Sequence, residues 1–121
     1  TVPVGDQYIL LPSEQELMTE KINAFNQIIA TAVSSNSDRL VLVDAKNLMD
    51  NINQGLVNAN SVAVTNSISP PNGAFSTDGV HPNARGSAVL ANHFIQSIND
   101  KWGSSIPMTN PNSFMGNDLP R

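Results

Sequence analysis

Four consecutive aliphatic residues, Leu40-Val41-Leu42-Val43, constrain the fold of this 121-residue chain more than any other stretch. Side chains alternate across a strand, so an unbroken apolar run suits a strand covered on both faces, as in a parallel sheet. What comes before it reads as a helix. Leu17, Met18, Ile22, Phe25, Ile29, Ala32 and Val33 recur at spacings of three and four, which places them on one face of a helix over 13–34. Ser13 with Glu16 three residues on forms a capping-box pattern at its start. Pro12 closes a short apolar run, Tyr8 to Leu11, that reads as a strand or an extended entry. The cluster Ser34-Ser35-Asn36-Ser37 disfavours further helix. Helix, short loop and buried strand in that order predict part of a βαβ unit.

Asp44 follows the expected strand directly, at the end where open α/β sheets place their sites. An Asp ahead of an apolar-periodic segment is also a common helix cap, and the spacing from Ala45 to Ile52 favours that role. Ser61 to Ile68 alternates like a strand, Pro70-Pro71-Asn72-Gly73 marks a turn, and Ala74 to Thr77 is expected to pair back as a hairpin. A second long helix is predicted over 83–102. Its apolar set is Ala84, Ala88, Leu90, Ala91, Phe94, Ile95, Ile98 and Trp102, with Gly103 as its C-terminal cap. Residues 104–121 carry three prolines and no period, and are expected to be an irregular, disordered tail. These elements predict an α/β fold, with two long helices packed on a small parallel sheet that includes residues 40–43.

Charge and composition narrow the partners. Ten acidic and six basic residues give a formal charge of −4 with no basic cluster, which argues against nucleic acid or an anionic membrane as partner. No stretch reaches the apolar length of a membrane span. The absence of cysteine removes disulfides, thiolate metal sites and cysteine nucleophiles. Sixteen Asn and thirteen Ser against three Lys make a neutral polar surface, expected of a secreted or cell-envelope protein.

The chemistry concentrates in Asp78-Gly79-Val80-His81-Pro82, followed by Asn83-Ala84-Arg85-Gly86. A carboxylate three residues before an imidazole, on a loop feeding a helix, has a specific use. A histidine whose second ring nitrogen donates to a carboxylate has its tautomer and direction fixed, and acts as a general base near neutral pH. Gly79 permits a tight backbone between the two, Pro82 suits a first helical turn, and Gly86 allows close approach of a neighbouring element. A metal site would need further ligands, and Asp6 and Asp44 lack the spacing for it. His93, off the apolar stripe, is expected to be a surface histidine, and Arg85 a solvated first-turn residue.

The run Asp78-Gly79-Val80-His81-Pro82-Asn83 with Gly86 resembles the C-terminal block of the SGNH (GDSL-type) esterase/lipase family. The resemblance covers residues 40–102, and 13–34 fit the family's penultimate helix. It implies a three-layer, flavodoxin-like α/β/α fold and ester hydrolysis through an acyl-enzyme, without a cofactor. Asp78 would be the orienting acid and His81 the base. The family's G-D-S nucleophile block and its oxyanion-hole Gly and Asn blocks have no counterpart here, since Gly5-Asp6 is followed by Gln7. The chain opens on Thr1, and is therefore expected to be the C-terminal part of one hydrolase domain over 1–103, inactive alone. Its partners would be the N-terminal remainder of the same protein and an ester substrate, a lipid or an acylated carbohydrate, with self-association of the isolated piece as a further outcome. The competing reading is a non-enzymatic α/β interaction module in which the Asp78–His81 contact is structural.

Overall fold

A computed structural model describes residues 4–59 and 61–117. The fold is mixed α/β, with three α-helices and a two-stranded antiparallel sheet among the described residues. The chain divides into two compact units, with the break after Leu42.

The first unit is dominated by one helix, α1, Pro12–Ser35. It begins two residues earlier than the Ser13 pattern predicts. Pro12 takes the first helical position, where its missing N–H costs nothing. The reaching-back carboxylate of the start is Glu14, whose Oε2 accepts from the Leu11 N–H at 2.8 Å, rather than Glu16. The helix ends at the serine cluster as expected, with Asn36 as its C-terminal cap. Its apolar side chains are exposed, with Leu17, Ile22, Phe25 and Ile29 each 48–63 % accessible. The run Tyr8–Leu11 is not a strand: a 3₁₀ turn over Asp6–Tyr8 leads into extended, exposed backbone.

Residues 40–43 form no strand, which corrects the expectation of a parallel sheet built on them. A strand is defined by hydrogen bonds to a neighbour, and among the described residues Leu40-Val41-Leu42-Val43 makes no ladder. The apolar pattern measures what the segment avoids, not what it pairs with.

The second unit opens with α2, Ala45–Asn53, capped as expected by Asp44, whose Oδ1 accepts from the Asn47 N–H at 2.9 Å. The sheet is the hairpin of β1, Val57–Ala59, and β2, Val62–Val64, in the register Val57–Val64, Asn58–Ala63 and Ala59–Val62. The expected strand at 61–68 therefore exists in its first half, but its partner lies before it rather than at Ala74 to Thr77. After the Pro70–Gly73 turn the chain does return beside β2, through a parallel bridge of Thr65 with Gly73. A further bridge joins Phe75 to Pro82. The core consists of Leu48 and Ile52 from α2, Ala59 and Val64 from the hairpin, Ala74, and Val89 from the last helix. Full burial of Ile52 and Val64 contributes about 1.5–3 kcal/mol each.

That last helix, α3, spans Ala84–Trp102 and ends on Gly103 in the left-handed region, φ +62°, as predicted. Its cap is Asn83, so Pro82 precedes the helix rather than sitting in its first turn. Its buried residues are Gly86, Ala88 and Val89, while Ala91, Phe94 and Trp102 of the predicted stripe are exposed. Residues 104–117 are docked rather than disordered, which corrects the expectation there, and 118–121 lie outside the described residues. Asn92 holds Thr109 from both sides, accepting from its N–H at 2.9 Å and donating to its carbonyl at 2.8 Å. Asn99 treats Ile106 in the same way, at 2.9 and 3.0 Å. Asn112 donates to the Ala59 carbonyl and Asn117 to those of Ile68 and Phe75. Pro111 is buried, whereas Met115 is 76 % accessible.

Candidate functional site

The loop ahead of α3 is held by one carboxylate. Asp78 Oδ1 accepts from the Ser76 hydroxyl at 2.7 Å, the Val80 N–H at 2.9 Å and the His81 N–H at 3.0 Å. The backbone supports this arrangement through Gly79 N–H to the Ser76 carbonyl at 2.9 Å and Ser76 N–H to the His81 carbonyl at 2.8 Å. Gly79 has φ +71°, a conformation that favours glycine and forms part of the tight loop between Asp78 and His81. The second carboxylate oxygen, Oδ2, lies 2.7 Å from His81 Nδ1. Asp78 and His81 are thus brought together as a hydrogen-bonded pair.

The electrostatics follow from those contacts. The Val80 N–H, then the Ser76 hydroxyl, the His81 ring and the His81 N–H hold the Asp78 carboxyl well below the usual carboxylate range, against a small opposing effect of burial. Asp78 is therefore anionic at any ordinary pH, and the neutral His81 ring donates from Nδ1. Nε2 is left with its lone pair outward. The His81 side chain is 78 % accessible, and among the described residues Nε2 makes no hydrogen bond.

Asn83, for which the sequence predicts no role, anchors the loop to the body of the second unit. It is buried, its Nδ2 donates to the Gly73 carbonyl at 2.9 Å and the Phe75 carbonyl at 3.1 Å, and its Oδ1 caps α3 by accepting from the Gly86 N–H at 3.0 Å. Its own N–H reaches the Ala74 carbonyl at 2.9 Å. Gly86 packs so tightly on Ala74 that an added Cβ would collide with the Ala74 carbonyl. The site therefore rests on the irregular segment 73–76 rather than on the edge of a parallel sheet. The only sequence signal for Asn83 was its type, an Asn directly before a helix.

Two further residues differ from expectation. His93 is half-buried rather than on the open surface, and its Nε2–H donates to the Asp44 carbonyl at 3.2 Å. Arg85 is not solvated: its Nε and Nη1 are buried without partners, and Nη2 reaches the Phe114 carbonyl at 3.5 Å. Asp44 serves as a helix cap and Asp6 starts a 3₁₀ turn. Among the described residues no three of His, Asp and Glu converge as a metal site, and no helix is long and apolar enough to cross a membrane.

Comparison with family models, with curated proteins and with solved structures returns no match for this chain.

Proposed function

We propose that this chain is the C-terminal part of a serine ester hydrolase of the SGNH (GDSL) type, supplying the acid and base of its triad. The observation that carries this reading is the 2.7 Å contact from Asp78 Oδ2 to His81 Nδ1, with Nε2 facing open space. A base must be oriented through one nitrogen and free at the other. In the reaction, a serine hydroxyl from the N-terminal remainder of the protein attacks the ester carbonyl while His81 Nε2 takes its proton. The tetrahedral intermediate collapses as the imidazolium returns that proton to the departing alcohol. Water then repeats the cycle against the acyl-enzyme, releasing the acid and free serine. Asp78 stays ionised throughout and stabilises the imidazolium.

The finer architecture belongs to the same proposal. A three-layer, flavodoxin-like sandwich is completed by the N-terminal remainder, which would cover the exposed apolar face of α1. The substrate is a lipid ester or an acylated carbohydrate, met outside the cell or in its envelope.

A second reading has one observation in its favour. Asp78 Oδ1 ties down Ser76, Val80 and His81 regardless of any reaction, as a structural loop anchor does. Turnover of p-nitrophenyl acetate by the longer protein containing this chain separates the two. Hydrolysis lowered about 10²–10⁴-fold by His81→Ala, impaired by Asp78→Asn and unchanged by Lys21→Ala is expected. Full activity in the His81 variant would leave only the structural reading.

A further inference from the structure

A cavity of about 350 Å³ opens in the second unit, away from the Asp78–His81 loop. Four segments wall it: α2, β1, the middle of α3 and the docked stretch 108–111. Its volume falls in the range of small-molecule sites. At about 30 Å³ per water-sized volume it accommodates about a dozen non-hydrogen atoms.

The walls are preformed. Leu48, Ala59 and Val89 of the lining belong to the buried core. The outer wall of Met108, Thr109 and Pro111 is fastened by the two-sided grip of Asn92 on Thr109. That grip uses one donor and one acceptor of the Asn92 amide, and it orients the wall. The remaining polar side chains are Asn58, Gln96, His93 and Thr109. His93 is defined by its neighbour: a carbonyl only accepts, so the bond to Asp44 places the neutral ring's proton on Nε2 and leaves Nδ1 as an acceptor. Among the described residues no Asp, Glu, Lys or Arg lines the cavity.

We propose that this cavity binds an uncharged amphipathic molecule, a medium-chain aliphatic alcohol, with its chain on Leu48, Val57 and Val89 and its hydroxyl donated to His93. A carboxylate or ammonium head would lie against this lining without an ionic partner, which is costly even when partly solvated. The site needs neither Asp78 nor His81, so it stands independently of the ester-hydrolase reading.

The test uses the longer protein containing this chain, ¹⁵N-labelled, titrated with octanol, octanoate and octylamine and followed by amide shifts. Octanol is expected to produce saturable shifts centred on Ala59, Val89, His93 and Thr109, with the two charged congeners about tenfold or more weaker. Asn58→Trp, a change at an exposed position on the rim, should abolish the octanol response while the remaining spectrum stays native. Should that variant lose its native spectrum, Gln96→Trp closes the same mouth from α3. Absent saturation, equal response to all three compounds, shifts centred on the exposed face of α1, or undiminished binding in the folded rim variant would each overturn the proposal.

Discussion

Replacing Asn83 with Ala removes two functions of one buried side chain, and the structure separates their magnitudes. Loss of the cap on the Gly86 N–H costs about 1 kcal/mol. Loss of Nδ2 strands the Gly73 carbonyl, at about 1–3 kcal/mol for an unsatisfied buried acceptor. The Phe75 carbonyl adds little, because Asn117 Nδ2 still donates to it at 2.7 Å. The sum is about 2–4 kcal/mol, a large share of the stability of a small domain. At about 4–8 °C per kcal/mol, the melting transition of the second unit should fall by about 10 °C or more. Circular dichroism gives the melt, and hydrogen exchange at the Gly86 and Asn83 amides reports whether the loop end of α3 opens first. Asn83→Asp separates the terms, since aspartate caps a helix well but cannot donate to carbonyls. It should be at least as damaging as Ala above pH 5, with its charge facing the carbonyls of Gly73 and Phe75. An aspartate variant as stable as the parent would refute the claim that Asn83 anchors the loop by donation.

Three further outcomes follow from the same geometry. Gly86→Ala should destabilise the second unit by about 1–3 kcal/mol in chemical denaturation, even though alanine favours helix by about 1 kcal/mol, because its Cβ meets the Ala74 carbonyl. The Asp78 carboxyl has its pKa depressed by folding, so its contribution to the loop is complete above the ordinary carboxylate range and is lost only as pH falls through the lowered folded value. The Asp78 side-chain carbon signal should therefore show no titration step near pH 4 in the folded chain, and Asp78→Asn should remove the loop's acid-side dependence. The exposed apolar face of α1 should make the isolated chain self-associate or be marginally stable in sedimentation and melting experiments, and Phe25→Glu with Ile29→Glu should shift it toward monomer.

The elements readable from sequence were those with a local cause. Both long helices announced themselves through three- and four-residue spacing, and Asp44 and Gly103 as caps through their type at a helix end. The strand expected at Leu40–Val43 failed because pairing is not local: four aliphatic residues specify a need for cover, not a ladder partner. The docking of residues 104–117 was invisible for a related reason. It rests on Asn side chains gripping backbone from Asn92 and Asn99, and such bonds leave no periodic trace. Val89, outside the expected apolar stripe, reaches the core where Phe94 does not. At the site, the proximity of Asp78 and His81 was legible because three residues and a glycine enforce it. Asn83 and Arg85 were not, since their roles depend on segments 10 and 29 residues away in sequence.

The central claim, that His81 is a base aimed by Asp78 at a serine supplied by the rest of the protein, is tested most directly by covalent trapping. The longer protein containing this chain is treated with a fluorophosphonate, and the adduct is located and timed by mass spectrometry. The account predicts one labelled serine lying upstream of this chain, with labelling strongly slowed by His81→Ala and slowed by Asp78→Asn. No adduct, or labelling that proceeds at the same rate without His81, would contradict it.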